Sequence, residues 1–236
     1  GLLDGQLVLC CAVALLLCTL QWRPLVWVAA GVVAGVACGI KFSGVGVVAM
    51  LAAWCLLAPR LSWRARLAAM TTVGVTAVAV YFAQFSVGLA LTGKAWGAGA
   101  VIDATRGLVQ HHAALTEMKH PWTSSWLTWF APTRPIVMGV FADETGERVL
   151  SSLGNLALWW AADAVLLSVL GVVAWRGLRA VLTPGEATSW TPAAFVGANG
   201  RHVLLLLAGV AGFIAPWVLS RRDSYLYHYL PAYFFM

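Results

Sequence analysis

Charge is the property this chain has least of. Only 10% of its 236 residues are Asp, Glu, Lys or Arg, whereas 61% are hydrophobic; a soluble domain carries about a quarter of charged residues. This shortage excludes an ordinary soluble enzyme and predicts a polytopic membrane protein. The net charge of +6 is therefore interpreted as a topology signal, and no nucleic-acid partner is expected.

Residue patterns that bind metals or form disulfides are missing too. The cysteines all lie in apolar runs and have the spacing of neither a zinc site nor a disulfide framework: Cys10, Cys11, Cys18, Cys38 and Cys55. We expect them to be small apolar side chains within helices. The sequence predicts no metal site.

The chain also lacks an initiating Met, a basic leader and a small-residue cleavage site. It begins at Gly1 and ends at Met236, within an apolar run. We therefore expect it to be an internal piece of a longer protein.

What the sequence does contain is a series of apolar runs separated by short basic turns. A membrane helix needs about 20 apolar residues, and six runs approach that length, with a truncated seventh after Tyr225: 7–20, 25–40, 42–58, 67–91, 150–175 and 203–219. The predicted fold is an all-α transmembrane bundle. Its predicted parts are four helices in 1–91, one long loop in 92–149 and the last helices in 150–236.

Glycines recur at every fourth position of the second run, at Gly31, Gly35 and Gly39. This spacing places them on one helix face, where the absence of side chains lets another helix approach closely. We expect a tight helix contact there.

The one long polar interval contains an unusual concentration of Trp. The stretch 120–129 reads His-Pro-Trp-Thr-Ser-Ser-Trp-Leu-Thr-Trp, and Arg134-Pro135 follows. Trp belongs where one end of the ring is buried and the other is wet, and this spacing fits neither a helical stripe nor strand alternation. The stretch predicts a structured loop at the bilayer interface, or an aromatic belt without chemistry.

Basic residues are unevenly divided between alternate sides of the predicted helices. One side has seven arginines against Glu186 alone, and the other has eight basic against seven acidic residues. The positive-inside rule makes the first side cytoplasmic. The Trp-rich loop, Asp4, Lys41 and the Arg221-Arg222 pair are then extracytoplasmic.

Lys41 separates two apolar runs. A charge without a polar partner is costly within a membrane, so Lys41 is either an interfacial turn residue or a cation that faces a cavity.

Arg221 and Arg222 lie in a short turn on the predicted extracytoplasmic side, where the positive-inside rule does not favour basic residues. They precede Tyr227-His228-Tyr229 at the predicted start of a membrane helix. Because Arg presents a planar fork of donors that suits phosphate, the pair is predicted to hold a lipid phosphate. The alternative is a snorkelling surface pair, partly neutralised by Asp223.

Several stretches in order together resemble the bacterial protein O-mannosyltransferases, which belong to the GT-C class of membrane glycosyltransferases. They are Leu2-Leu3-Asp4-Gly5, Gly39-Ile40-Lys41-Phe42-Ser43-Gly44, His120-Pro121-Trp122-Thr123-Ser124-Ser125-Trp126 with Arg134-Pro135, Gly154-Asn155 with Trp159-Trp160, and Tyr227-His228-Tyr229-Leu230-Pro231-Ala232. The chain departs from the family pattern in three places: Trp122 replaces Tyr, Phe130-Ala131 replaces Trp-Pro, and Leu156 replaces the Pro of Gly-Asn-Pro.

The resemblance implies an inverting transfer of mannose from polyprenyl-phosphate-mannose to Ser or Thr of exported proteins, at the outer face of a bacterial plasma membrane. Such a displacement needs a carboxylate base and cations for the departing phosphate, and no cofactor. The family's catalytic Asp-Glu pair would precede Gly1, so no catalytic residue is expected here. The pair Asp143-Glu144 does not match that motif.

By the same resemblance, the donor phosphate and its lipid are expected to contact Arg221, Arg222, Tyr227, His228 and Lys41. A groove for the sugar and the acceptor protein is expected from His120, Pro121, Trp122, Ser124, Trp126 and Arg134, with Asp4 orienting them. Membrane lipid, protein-export machinery and a second copy are further candidate partners.

Other functions stay open on the sequence. Charged residues within helices are also natural in a transporter or flippase, although no inverted repeats of the kind such proteins carry are seen. A GT-C transferase that modifies a glycolipid, and a purely structural membrane subunit, are the remaining alternatives.

Overall fold

The computed structural model describes residues 2–20, 23–58, 61–114, 123–131, 136–143, 146–152, 155–183, 200–219 and 224–236. Within these ranges the protein is mainly helical. The helices are α1 (Leu2–Thr19), α2 (Pro24–Ile40), α3 (Val45–Leu56), α4 (Trp63–Leu91), α5 (Ala98–Ala114), α6 (Leu156–Leu182), α7 (Gly200–Leu219) and the short α8 (Leu230–Tyr233). Three single 3-10 turns lie at Phe42–Gly44, Trp126–Trp129 and Leu226–Tyr229.

Local chemistry fixes where several helices begin. α2 starts at Pro24, whose fixed φ angle and missing N–H suit the first turn of a helix. The Ser62 hydroxyl accepts a hydrogen bond from the Ala65 N–H at 3.3 Å and caps α4, and the Asn155 side chain accepts one from the Leu158 N–H at 3.2 Å and caps α6. The cap at Ser62 explains why α4 begins at Trp63 and not at residue 67, where the apolar run was predicted to start.

The predicted small-residue face is confirmed. α2 packs against α4, and the backbone of Gly31 lies against Thr76 while that of Gly35 lies against Val80. A side chain at either glycine would occupy the space of α4. The two helices therefore approach closely because the facing residues of α2 have no side chains.

The remaining helices pack around this pair. α1 lies beside α2 and α3, and α3 packs on α7, where Gly46 contacts the ring of Phe213. α8 packs between α7 and α1, with the Phe235 ring just beyond it against Gly209 of α7. The buried core of apolar side chains therefore joins both ends of the chain.

The cysteines are free thiols within these helices. All are buried except Cys38, which is half-buried. They act as small apolar side chains, as predicted.

Regular structure also occupies much of the interval 92–149, which was predicted as one long loop. It contains α5 and two antiparallel strands, β1 (Ile136–Asp143) and β2 (Gly146–Ser152). Gly146 enters β2 with a φ of +126°, a conformation that residues with a side chain rarely adopt. Because β2 runs to Ser152, the next helix begins at Leu156 rather than at residue 150.

The protein is an α-helical membrane protein. Among the described helices, three are long and apolar enough to cross a bilayer, namely the stretches Trp63–Leu91, Leu156–Arg179 and Gly200–Leu219. The stretches Leu3–Thr19, Pro24–Ile40 and Phe42–Leu56 are apolar but shorter. A helix of 17 residues such as α2 is about 26 Å long, slightly less than the ~30 Å hydrocarbon core.

Candidate functional site

The first feature of the site is an ion pair between two helices. Lys41 follows α2 in an extended conformation, and its Nζ lies 2.7 Å from Oδ1 of Asp4 in the first turn of α1. The Asp4 side chain is 7% exposed and that of Lys41 is 23% exposed. Each charge therefore has a partner of opposite sign at a position where water is largely excluded.

The Gly-Ile-Lys-Phe-Ser-Gly sequence forms the bend that places Lys41 beside Asp4. The helix stops at Ile40, the 3-10 turn Phe42–Gly44 follows, and the Gly44 N–H donates to the Lys41 carbonyl at 2.8 Å. Gly44 packs directly on the backbone of Ala37, where a side chain would not fit. A glycine at position 44 thus lets the chain fold back on α2 and leaves Lys41 at the corner.

A cavity of about 190 Å³ opens beside Lys41. Its walls are largely apolar and come from the end of α2, from Phe85 of α4, and from Leu108 and His112 of α5. The His112 ring meets the ring of Phe42 edge-on at 5.5 Å. The cavity therefore combines an apolar interior with two basic side chains, Lys41 and His112.

A polar contact between Tyr81 and Thr105 joins α5 to α4. The Tyr81 and Thr105 hydroxyl oxygens lie 2.9 Å apart, and the Thr105 hydroxyl is also 2.8 Å from the Val101 carbonyl. The contact fixes the wall of the cavity that carries His112.

The second feature joins the Trp-rich loop to the last segment of the chain. The Ser124 N–H donates to the Ser224 carbonyl at 2.8 Å, and the Ser224 hydroxyl donates to the Ser124 carbonyl at 2.6 Å. The Ser124 hydroxyl in turn accepts from the Trp129 indole N–H at 3.0 Å. Two stretches 100 residues apart are therefore joined by reciprocal hydrogen bonds.

His228 lies immediately beyond this junction and is buried. Its Nδ1 accepts the Tyr225 N–H at 3.0 Å, and its ring lies on that of Trp217, with 3.9 Å between centroids. Because Nδ1 accepts a hydrogen bond, the proton of the neutral ring is on Nε2. The geometry thus fixes both the orientation and the tautomer of His228.

An aromatic cluster supports both segments from beneath. Tyr229 is fully buried, with its ring centroid 5.4 Å from that of Trp159 and 5.9 Å from that of Trp129. The Trp159 indole N–H donates to the Trp129 carbonyl at 2.8 Å. The aromatic residues that the sequence placed in three separate motifs therefore pack in one cluster.

The structure brings together some of the predicted site residues. Asp4 pairs with Lys41, and Ser124 forms the junction with Ser224 that lies next to His228; Trp126 begins the 3-10 turn that ends at Trp129. The backbone of Tyr227 belongs to the turn of His228. The other predicted site residues lie outside the described ranges: His120, Pro121, Trp122, Arg134, Arg221 and Arg222.

Sequence reasoning missed several residues that shape the site. Trp217, Ser224 and Asp163 were not among the predicted site residues, although Asp163 is a carboxylate inside an apolar helix and such residues are by default functional candidates. Trp217 gave no local signal, because a Trp near a helix end is common in membrane proteins.

In the part of the chain that the structure describes, no group of three or more His, Cys, Asp and Glu side chains is arranged to hold a metal ion.

The long apolar helices define a multi-pass membrane protein. Residues 98–236 match the family model described as the C-terminal four TMM region of protein-O-mannosyltransferase. The match spans more than half of the chain, and the chain belongs to the protein O-mannosyltransferase family.

Known relatives agree with this assignment. The polyprenol-phosphate-mannose–protein mannosyltransferase of Mycobacterium tuberculosis, present in two strains, is 26% identical over 260 residues, covering 88% of this chain and 49% of that protein. Dolichyl-phosphate-mannose–protein mannosyltransferase 1 of Saccharomyces cerevisiae is 29% identical over 96 residues, which is 38% of this chain and 10% of that protein. The chain spans about half the length of the mycobacterial relative. No solved structure matches it significantly.

Proposed function

We propose that this protein transfers mannose from a polyprenyl-phosphate-mannose to the Ser or Thr hydroxyls of protein acceptors. Family membership over residues 98–236 is the observation that carries the proposal. The mycobacterial relative is named for a polyprenol-phosphate-mannose donor and a protein acceptor, and this chain aligns with it over 88% of its own length.

The described geometry supports a site for an amphipathic anion. The cavity beside Lys41 has apolar walls that suit an isoprenoid chain, and Lys41 and His112 supply donors at its border. The ring of His228 is held by its Nδ1 hydrogen bond and by its contact with Trp217; we assign this preorganised side chain to the donor phosphate, where such a group would stabilise developing charge.

Arg221 and Arg222 complete the proposed donor site. They immediately precede Asp223 and Ser224, and Ser224 is bonded in both directions to Ser124. The junction therefore joins Ser224, which follows the arginine pair closely in the sequence, to Ser124 of the Trp-rich loop, and a guanidinium fork suits phosphate recognition. We assign the rest of that loop, His120, Pro121, Trp122, Ser124, Trp126 and Arg134, to the groove for sugar and acceptor.

The proposed reaction is a displacement at the anomeric carbon of mannose. The acceptor hydroxyl attacks the anomeric carbon with inversion, a carboxylate takes its proton, and the polyprenyl phosphate leaves with the bonding electron pair. The base that we propose is a carboxylate of the kind found in the family's Asp-Glu pair. The residues of this chain bind and orient the donor and the acceptor.

We further propose that six helices of this chain span the plasma membrane of a bacterium. The Trp-rich loop, Lys41 and the arginine pair would face outward, because the short turns on the opposite side carry the excess of arginine. A protein acceptor that has just been exported meets the site on this side.

The test uses membranes from cells that express the complete protein, with radiolabelled polyprenyl-phosphate-mannose and a peptide rich in Ser and Thr. We expect label in this peptide and none in a matched peptide with Ala at every hydroxyl position. Arg221→Ala and Arg222→Ala should each lower transfer by roughly 10²-fold, the usual effect of removing one donor to a developing charge. Arg106→Ala, which changes an exposed arginine of α5, is the control and should transfer at the wild-type rate.

Each outcome has a distinct meaning. If transfer persists in both arginine variants, the arginine pair does not bind the donor, whereas the proposed mannosyltransferase activity stands. No label in any peptide would overturn the proposed function and favour a glycolipid acceptor or a transporter.

A further inference from the structure

Asp163 is a buried carboxylate that the proposed reaction does not use. It lies within α6, in a stretch long and apolar enough to cross a membrane, and is 6% exposed. Its Oδ1 accepts a hydrogen bond from the Tyr229 hydroxyl at 2.9 Å. Among the residues that the structure describes, Oδ2 has no hydrogen-bond partner. An ionisable group in such a position is costly, which makes Asp163 a functional candidate.

Tyr229 connects Asp163 of α6 to the aromatic residues of the Trp-rich loop. Its ring is enclosed by Trp129, Trp159 and Phe130, the last at 5.4 Å between centroids. The hydroxyl is the polar end of this buried ring: it donates to Asp163 at 2.9 Å and also lies 3.1 Å from the Met236 sulfur. A hydrogen bond at this end adds a directional constraint to the packing of the ring. The bond to Asp163 therefore sets how deeply Tyr229 sits between α6 and the Trp-rich loop.

His228 is one peptide unit from Tyr229, in the same 3-10 turn. The turn is closed by the His228 N–H, which donates to the Tyr225 carbonyl at 2.9 Å, and by the Tyr225 N–H, which donates to His228 Nδ1. A short turn closed at both ends moves as a unit. A shift of Tyr229 is consequently a shift of the His228 ring relative to Trp217.

We infer that Asp163 is a positioning residue, which acts through the Tyr229 hydroxyl to hold His228 in the orientation that serves the donor phosphate. The inference rests on the proposed function for the role of His228, and on geometry alone for the link from Asp163 to His228. The important property of Asp163 is an oxygen acceptor at the Oδ1 position, and not its negative charge.

Three variants of the complete protein separate these properties. Asp163→Leu removes the acceptor and is compatible with a membrane helix, Asp163→Asn keeps an oxygen acceptor without the charge, and Tyr229→Phe removes the donor but keeps the ring. Ser168→Ala is the matched control, because its hydroxyl donates to the Ala164 carbonyl of the same helix.

The first readout is independent of transfer. Diethyl pyrocarbonate modification of His228 is followed by mass spectrometry, with the exposed His202 as internal reference. We expect the rate at His228 to rise roughly tenfold in Asp163→Leu and in Tyr229→Phe, the ratio that corresponds to the loss of one buried hydrogen bond. Asp163→Asn and Ser168→Ala should keep the wild-type rate, and the double variant Asp163→Leu/Tyr229→Phe should be no more reactive than either single variant.

The second readout is the KM for polyprenyl-phosphate-mannose, which should rise in Asp163→Leu and Tyr229→Phe while the KM for the acceptor peptide is unchanged. The inference is overturned if His228 is equally protected in all variants, or if Asp163→Asn behaves like Asp163→Leu. If wild-type protein transfers no mannose, the proposed function fails, and the modification rates still decide whether Asp163 positions His228.

Discussion

At the scale of single residues, the site depends on polar side chains whose partners are far away in the sequence. Lys41 and Asp4 are 37 positions apart, and Ser124 and Ser224 are 100 apart. Each pair lies between apolar elements, where a polar group without a partner is costly. The same arrangement that stabilises these groups also fixes the positions of the candidate donor-binding residues.

The Asp4–Lys41 pair gives a prediction at this scale. Asp4→Leu or Lys41→Leu leaves one charge largely buried without its main partner, and each should lower the free energy of unfolding by about 1–3 kcal/mol. The double variant Asp4→Leu/Lys41→Leu should be more stable than either single variant, because no unpaired charge remains. Thermal unfolding in detergent, followed by tryptophan fluorescence, measures the difference.

The control for this prediction is Asp103→Ala. Asp103 pairs with Arg106 at 3.5 Å, but both side chains are exposed, and exposed pairs contribute little. A double variant less stable than both single variants would contradict the interpretation of the pair as mutually dependent.

At the scale of elements, the bundle depends on helices that touch through glycine. Gly35→Ala places a methyl group 2.5 Å from the Ala77 carbonyl oxygen and 2.7 Å from the Val80 Cβ. The helices must then separate, so the variant should lose about 1–3 kcal/mol of stability.

Gly74→Ala on α4 is the matched control for Gly35→Ala. A methyl group at position 74 meets nothing within 4 Å, and Ala is the better helix former by up to about 1 kcal/mol. We expect its unfolding temperature in detergent to be unchanged or higher. Equal losses of stability in Gly35→Ala and Gly74→Ala would contradict the interpretation that α2 and α4 approach closely through Gly35.

The sequence predicted the elements better than their contacts. Apolar runs of the right length marked the long helices, and the four-residue glycine spacing marked the face of α2 that meets α4. The hairpin of β1 and β2 was missed, because residues up to Val149 were interpreted as a polar loop and Leu150 as the start of an apolar helix. The Ser124–Ser224 junction and the Asp163–Tyr229 bond had no sequence signal, since pairs so far apart are set only by the packing of helices.

At the scale of the whole molecule, the proposed orientation rests on the distribution of charge between the two sides of the membrane. The proposed outward face includes Lys94, between α4 and α5, and the inward face includes Arg64 in the first turn of α4; both are exposed. The orientation follows from the arginine excess in the short turns.

Cysteine labelling tests this orientation. In a Cys38→Ala background, Lys94→Cys should react with a membrane-impermeant maleimide in intact cells. Arg64→Cys should react only after permeabilisation, and the buried native cysteines should stay unlabelled. The opposite pattern would place the candidate site on the cytoplasmic side, where an exported acceptor does not reach it.

The central claim is that mannose is transferred from a polyprenyl phosphate to a protein hydroxyl. The most direct measurement supplies a protein acceptor and a glycolipid acceptor together and determines which one is labelled. Sealed vesicles that contain the complete protein are given labelled polyprenyl-phosphate-mannose together with a Ser- and Thr-rich peptide and a membrane glycolipid. Our account predicts label in the peptide, on Ser or Thr, at a rate that rises with peptide concentration. Label in the glycolipid, or labelled donor moved across the vesicle membrane without any transfer, would contradict it.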